Sequence, residues 1–460
     1  MSRPATLGQL RETGWQSVPV KEEVRRNVAA RIAAGKPAVT GVVGYEDTVL
    51  PQLENALLAG HDTIFLGERG QAKTRIIRSL TELLDEWMPV VAGSEINDDP
   101  YNPVSRHARD LVRDHGEDTP IEWVHRSTRF GEKLATPDTS IADLIGEVDP
   151  IKVAEGRYLS DELTLHYGLV PRTNRGIFAI NELPDLAERI QVGLLNVLEE
   201  RDVQIRGYKV RLPLDVMLVA SANPEDYTNR GRIITPLKDR FGAEVRTHYP
   251  LDVDAEVDVV RQEAHLTAEV GEPLLEVLAR FVRHLRESTA IDQRSGVSAR
   301  FAVAAAETVA AAALRRSAVT GEEPAVARPV DLEAVPAVLR GKLEFEPGEE
   351  GRENELLEYL LRRSVADTAR ERFAGLDLTP LAIAVAEGHL VTTGERVPAK
   401  DVLAALPELP ILYDVAARAG VDPGDSPGRI AAAVELALEA LYLSKRLAKD
   451  ADNDTTIYGA

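Results

Sequence analysis

The chain has 460 residues, 44% hydrophobic and 28% charged, with 75 acidic against 54 basic side chains (formal net charge −21) and no cysteine. That length carries roughly two to four domains with sizeable cores. Absence of Cys excludes disulfides and thiolate metal centres and fits a reducing, cytoplasmic setting, and the acidic balance disfavours nucleic acid as main partner because a phosphate backbone is repelled.

An N-terminal segment to Pro37, containing KEEVRRNVAARIAAG, reads as a polar helix ending at a Gly cap. Val42-Val43-Gly44-Tyr45-Glu46 then leads into a helix from Asp47 to Ala59, closed by Gly60. The most informative stretch follows: TIFLGERGQAKTRIIRSL, Thr63 to Leu80. An apolar strand, Ile64 to Leu66, breaks into the loop Gly67-Glu68-Arg69-Gly70-Gln71-Ala72 and then into a helix opening on Lys73-Thr74. This is the strand–loop–helix order of a P-loop, in which backbone N–H groups cradle phosphates. Lys73 reaches the β- and γ-phosphates and the Thr74 hydroxyl takes a place on Mg²⁺. Ala72 stands where a Gly normally precedes the Lys; its methyl group is tolerated if the local φ stays negative. An ordinary Gly-containing βα turn is the alternative.

A polar loop, Asn97 to Pro103, precedes a short strand, Ile121 to His125. A buried strand, Gly176 to Ile180, ends in Asn181-Glu182. Beside a P-loop, such a strand end carries the Mg²⁺-organising and water-activating groups. Glu182 is the candidate general base. Asn181 keeps an acceptor oxygen but lacks the charge of the usual Asp, which lowers the expected Mg²⁺ affinity. A strand-end cap is the structural alternative. A helix, Leu186 to Glu200, follows, then VQIRGYKVRL as a β-hairpin around Gly207, and an apolar strand, Val216 to Ala220. Asn223 after it either holds the attacking water or forms an Asn-Pro turn with Pro224. Arg240 either offsets transition-state charge from a neighbouring subunit or pairs with Asp239 or Glu244. Strands alternating with helices imply an α/β fold with a parallel sheet. Beyond Asp252 the pattern turns helical: Asp254–Leu266, Pro273–Glu287, Ala299–Arg316 and, after an acidic loop at Pro347–Glu353, most of Glu355–Lys449. Phe301–Leu314, broken by Glu307 and Thr308, reads as a buried helix and not a membrane span. The terminal ADNDTTIYGA reads as frayed.

From Val42 to Val309 the chain resembles the AAA+ ATPases, in the branch of the magnesium chelatase ATPase subunit and the MoxR-like ATPases. TSIADLIGEVDPIKVAEGRYLSDELTLHYGLVPRTNRGIFAINELPDL is similar to that branch's helix-2 insert and Walker B strand, and LLNVLEERDVQIRGYKVRLPLDVMLVASANPED to its pre-sensor hairpin and sensor 1. The resemblance implies Walker A at Gly67, Gly70, Lys73 and Thr74, and Walker B at Asn181-Glu182. It further implies sensor 1 at Asn223, an arginine finger at Arg240 with Arg232 as a second trans-acting candidate, sensor 2 at Arg300, and an adenine pocket along Val43, Gly44 and Tyr45. The implied organisation is an N-terminal helical segment (1–37), an AAA+ α/β domain (38–250), a helical lid (251–346) and a mostly helical C-terminal region (347–460). The implied cofactors are ATP and Mg²⁺. The implied function is a hexameric, ATP-hydrolysing motor remodelling a protein client such as a VWA-domain protein. Alternatives are a true magnesium chelatase motor, a slowly hydrolysing nucleotide-sensing scaffold, and a sigma-factor activator, whose GAFTGA loop is absent from the sequence.

Overall fold

The computed structural model describes residues 3–148, 165–200, 202–204, 211–223, 232–292, 296–406, 408–452 and 455–459. Most of the expected helix-2 insert and the turn of the hairpin around Gly207 lie outside these residues. The chain divides into two compact units, Met1–His248 and Tyr249–Ala460.

In chain order the first unit's strands are β1 (Thr63–Leu66), β2 (Trp87–Val91), β3 (Ile121–His125), β4 (Phe130–Leu134), β5 (Gly146–Val148), β6 (Leu165–Tyr167), β7 (Gly176–Asn181), β8 (Asp202–Gln204), β9 (Arg211–Pro213), β10 (Val216–Ala222) and β11 (Ala243–Arg246). Five of them form a sheet in the order β11-β1-β10-β7-β4, every neighbour parallel. The three inner strands are almost wholly buried, as a parallel sheet covered on both faces requires, which is why they read as continuous apolar runs.

Alternation along those runs builds two cores. Phe65, Ile177, Ala179, Met217 and Val219 face the helices Val20–Ala33, Val49–Ala59 and Lys73–Ser79. Ile64, Leu66, Phe178, Ile180, Leu218 and Ala220 face Ile190 and Leu194 of the helix Glu188–Glu200. The N-terminal segment, polar by sequence, belongs to the first core: it buries Val20, Val24 and Val28. Its Glu23 forms a buried bidentate pair with Arg129 at 2.8 and 2.6 Å.

The Ile121–His125 strand pairs antiparallel with β2 in a separate ribbon. The edge strands of the parallel sheet are instead β4 and β11, which the sequence pattern did not mark. β8 and β9 pair antiparallel as the two arms of the expected hairpin.

The second unit is helical. Residues of Glu272–Glu287 and Ala299–Thr320 share one core with Leu357 and Leu360 of Glu353–Arg372 and with Leu436 and Leu438 of Pro427–Leu443. Three further strands, β12 (Val391–Gly394), β13 (Ala448–Asp452) and β14 (Thr455–Gly459), form an antiparallel sheet. Thr455–Gly459 are therefore not frayed: β14 is the central strand and Tyr458 is buried. Its Thr-Thr-Ile-Tyr run has the β-branched and aromatic character that a half-buried strand favours. Among the described residues no helix is long and apolar enough to cross a membrane.

Candidate functional site

Because β1, β7 and β10 are parallel neighbours, the segments leaving their C-terminal ends converge on one edge of the sheet. Gly67 follows β1, Glu182 follows β7 and Asn223 follows β10. Lys73 opens the next helix with a buried ammonium that contacts the Gly67 carbonyl and lies 2.8 Å from both the Glu68 carbonyl and Asn223 Oδ1. Asn223 Nδ2 in turn donates to Glu182 Oε2 at 2.7 Å. One amide thus bridges the candidate phosphate-binding cation and the candidate base.

The loop is shaped by close contacts. A Cβ on Gly67 would lie 1.9 Å from Thr247 Oγ1 and 2.2 Å from Gln71 Oε1, so a side chain there has no room. Gly70 adopts φ +78°, where glycine has no steric penalty. Gln71 is buried, its Oε1 accepting from the Glu68 N–H at 3.0 Å and the Thr247 hydroxyl at 2.8 Å. Thr247, just past β11, also donates its N–H to the Leu66 carbonyl. The cleft beside the loop, about 380 Å³, is lined by Gly67, Glu68, Gln71 and Thr247 and by Lys238 and Arg246, both of which also reach Glu244.

Ala72 departs from the sequence expectation. Its φ is +55°, not negative: it is the left-handed N-cap residue of the Lys73–Ser79 helix. The turn demands that conformation whatever residue fills it, so the Ala side chain carries a cost of about 1–2 kcal/mol that Gly would escape. Glu182 is likewise left-handed, φ +55°. Two non-glycine residues thus hold unfavourable backbone conformations at this edge, a pattern that clusters at functional sites.

The remaining expected residues are placed as follows. Gly44 has φ +77°, and Tyr45 is buried with its hydroxyl 2.9 Å from the Gln71 carbonyl and 2.8 Å from the His248 carbonyl. Burial pushes that phenol's pKa far up, so it stays a neutral donor tying the loop to the strand edge. Arg69 lies within the loop, and Thr74 is half-buried on the helix's first turn. Arg240 is exposed at the end of the helix Thr235–Arg240, and Arg232 is also exposed. Glu244 is engaged by Lys238 at 3.4 Å and Arg246 at 3.0 Å. Arg300 is exposed on the first turn of Ala299–Thr320, in the second unit.

Four residues without a motif join the site: Gln71's partner Thr247, and Ser221, Glu132 and Arg78. Ser221 Oγ receives the Glu182 N–H at 3.2 Å and donates to Asn181 Oδ1 at 3.3 Å. Asn181 Nδ2 donates to Glu132 Oε1 at 2.5 Å, and Arg78 Nε to Glu132 Oε2 at 2.8 Å. The Thr74 hydroxyl, the Asn181 side-chain oxygen and the Glu182 carboxylate are hard oxygen atoms, the donor type that Mg²⁺ prefers.

Comparison with known proteins agrees in kind. The family described as "Sigma-54 interaction domain" matches residues 154–240, part of which lies outside the described residues. The Nostoc magnesium-chelatase subunit ChlI is 29% identical over 239 residues, covering 49% of this chain and 58% of that protein. The Cereibacter sphaeroides magnesium-chelatase 38 kDa subunit is 30% identical over 240 residues, covering 49% and 63%. The chain thus spans about three-fifths of the length of these relatives. A cryo-EM-based structure of the BchI–BchD complex of magnesium chelatase aligns with 23% identity over 69% of this chain and 97% of that one, at a TM-score of 0.35. With the phosphate-type loop leaving β1, the paired polar strand ends and these relatives, the chain resembles the AAA+ ATPases, and among them the magnesium chelatase ATPase subunit.

Proposed function

We propose that the chain is a AAA+ motor subunit that binds ATP with Mg²⁺ at the Gly67–Thr74 loop, hydrolyses it and uses the cycle to remodel or assemble a protein partner. The observation that carries this reading is the Lys73–Asn223–Glu182 chain of contacts at 2.8 and 2.7 Å, which joins a phosphate-binding cation to a base. Glu182 takes the proton of the attacking water or orients it, and Asn223 holds that water in line. Lys73 offsets charge on the β- and γ-phosphates, and Gly67 and Gly70 let the backbone approach them. The Thr74 hydroxyl and the Asn181 amide oxygen would hold Mg²⁺, which would neutralise phosphate charge.

In this reading Gly44 and Tyr45 border the adenine site, residues 251–346 are the lid domain and Arg300 is its sensor 2 residue. Arg240 acts across the interface of a hexameric ring, where an exposed guanidinium offsets developing charge on the neighbour's nucleotide. The assignment includes a cytoplasmic location and a MoxR-like chaperone role with a VWA-domain client. A magnesium chelatase motor is the second reading, favoured by the names of the relatives. Strain at Ala72 and the missing charge at Asn181 support slow turnover.

The test combines binding with subunit mixing. Lys73→Ala removes a charge-assisted contact worth about 1.5–3 kcal/mol, so calorimetry should show roughly tenfold or weaker ATP binding. Inactive Lys73→Ala and inactive Arg240→Ala subunits, mixed, should regain turnover, because a mixed ring contains interfaces with both groups intact. Unchanged affinity rejects the site. No recovery in rings shown to be mixed by mass spectrometry rejects the trans role.

A further inference from the structure

We propose that Glu132 supplies, from the neighbouring strand, the negative charge that Asn181 lacks, and so acts as a positioning residue for Mg²⁺ through the Asn181 amide. The inference rests on the nucleotide-site reading above and deepens it.

The register brings the two side chains together. β4 pairs parallel with β7, setting Glu132 opposite Ala179 and Leu134 opposite Asn181. Residues two apart on a strand share a face, so Glu132, Ala179 and Asn181 lie on the same side of the sheet. Ala179 packs in the core with Ile76 and Ile77 of the Lys73–Ser79 helix, so this is also the face that carries the phosphate-loop helix.

The hydrogen bonds orient the amide. Asn181 Nδ2 points at the Glu132 carboxylate, 2.5 Å away, while Ser221 Oγ donates to Asn181 Oδ1. A carboxylate held against the N–H₂ end draws positive charge there and makes Oδ1 a more negative acceptor. The amide oxygen then does part of the work of the missing Asp, with the formal charge one strand further out.

A purely structural role is the competing account: Glu132 pairs with Arg78 at 2.8 Å and would clip the helix to the sheet edge. The Arg78 side chain is 64% exposed, and ion pairs of that exposure contribute little. The 21% exposed carboxylate is instead placed where its second oxygen meets Asn181.

The experiment is a Mg²⁺ titration of fluorescent ADP bound to the full chain, with binding in EDTA measured alongside. Partners that orient metal ligands typically change metal affinity about 10–100-fold when removed, so Glu132→Gln should raise the Mg²⁺ midpoint by about tenfold or more. Its affinity for nucleotide in EDTA should match the parent. Exchanging the two groups, Glu132→Gln with Asn181→Asp, should return the midpoint to within about threefold of the parent, because one carboxylate is again paired with one amide. Arg78→Ala breaks the clip but keeps the charge, and should leave the midpoint unchanged. An unchanged midpoint in Glu132→Gln, a midpoint raised equally by Arg78→Ala, or an exchange that fails to restore it while the chain stays folded by thermal melting overturns the proposal. A parent chain that binds no nucleotide overturns the site reading, and this role with it.

Discussion

Each unit of this protein gathers a polar cluster, and the two are built on opposite plans. In the first, Lys73, Asn223 and Glu182 meet at the end of a parallel sheet, where two non-glycine residues are left-handed and the Glu182 side chain is only half-buried. In the second, Arg316, Arg328, Asp331 and Glu435 are sealed in the helical core. Arg316 holds Asp331 through two bonds at 3.1 and 3.0 Å and reaches Glu322 at 2.8 Å. Arg328 and Glu435 are both buried and stand 3.2 Å apart. Arg328 Nε and Nη1 and Glu435 Oε1 make no hydrogen bond among the described residues. Polar groups at a half-buried strand end can exchange protein partners for a ligand. Sealed ones depend on fixed protein partners, here each other and the carbonyls of Val326, Gly394 and Val397, so their removal is felt as stability.

The comparison predicts a separation of effects. The largest is expected in the sealed cluster, where Arg328→Met leaves Glu435 with no nearby cation on its closest side. Breaking a buried pair in this way costs about 3–5 kcal/mol, to be read as a lower urea midpoint of the second unit. Burial already pushes the Glu435 carboxyl up to about 7 against the pull of Arg328. The folded state therefore binds this proton more tightly than the unfolded one. The resulting stability is fully present below the unfolded value, near 4.5, and is lost as pH rises through about 7. The Arg328→Met deficit should accordingly be larger at pH 8 than at pH 5. A deficit independent of pH would show that the pair is not coupled through this proton.

Next in size is Glu182→Gln, which exchanges one oxygen for an amide without removing volume. Turnover should fall on the order of 100-fold, about 2.7 kcal/mol in the barrier, while melting temperature and ATP affinity stay near the parent. Loss of folding in place of turnover would erase the contrast between the clusters. The smallest effect concerns strain. Ala72→Gly removes the side chain from a left-handed position and should stabilise the first unit by about 1 kcal/mol. Differential scanning calorimetry reads the gain, and a lowered transition would show that the Ala conformation is not strained.

The same contrast explains what was legible. Ile64–Leu66, Gly176–Ile180 and Val216–Ala220 are readable as strands because their burial on both faces leaves uninterrupted apolar runs. β4, with the sequence FGEKL, and β11, with AEVR, sit at the sheet edges and carry charges, so periodicity passes over them. The N-terminal helix looks polar because only the stripe Val20, Val24 and Val28 is needed to seat it.

Local sequence is enough to specify the α/β order, the phosphate-type loop, and which side chains stand at the strand ends, since all of these follow from apolar spacing and turn chemistry. It also carries the helical character of most of the second half. Packing had to be seen to learn that Ala72 is left-handed, that Gln71 is held by Thr247, and that Asn181 faces a carboxylate on Glu132. The last two contacts join residues distant along the chain through strand register and helix packing, and no local pattern encodes which distant partner arrives. Arg328 and Glu435 make the same point in the second unit: each reads as a surface charge until the helices close over it.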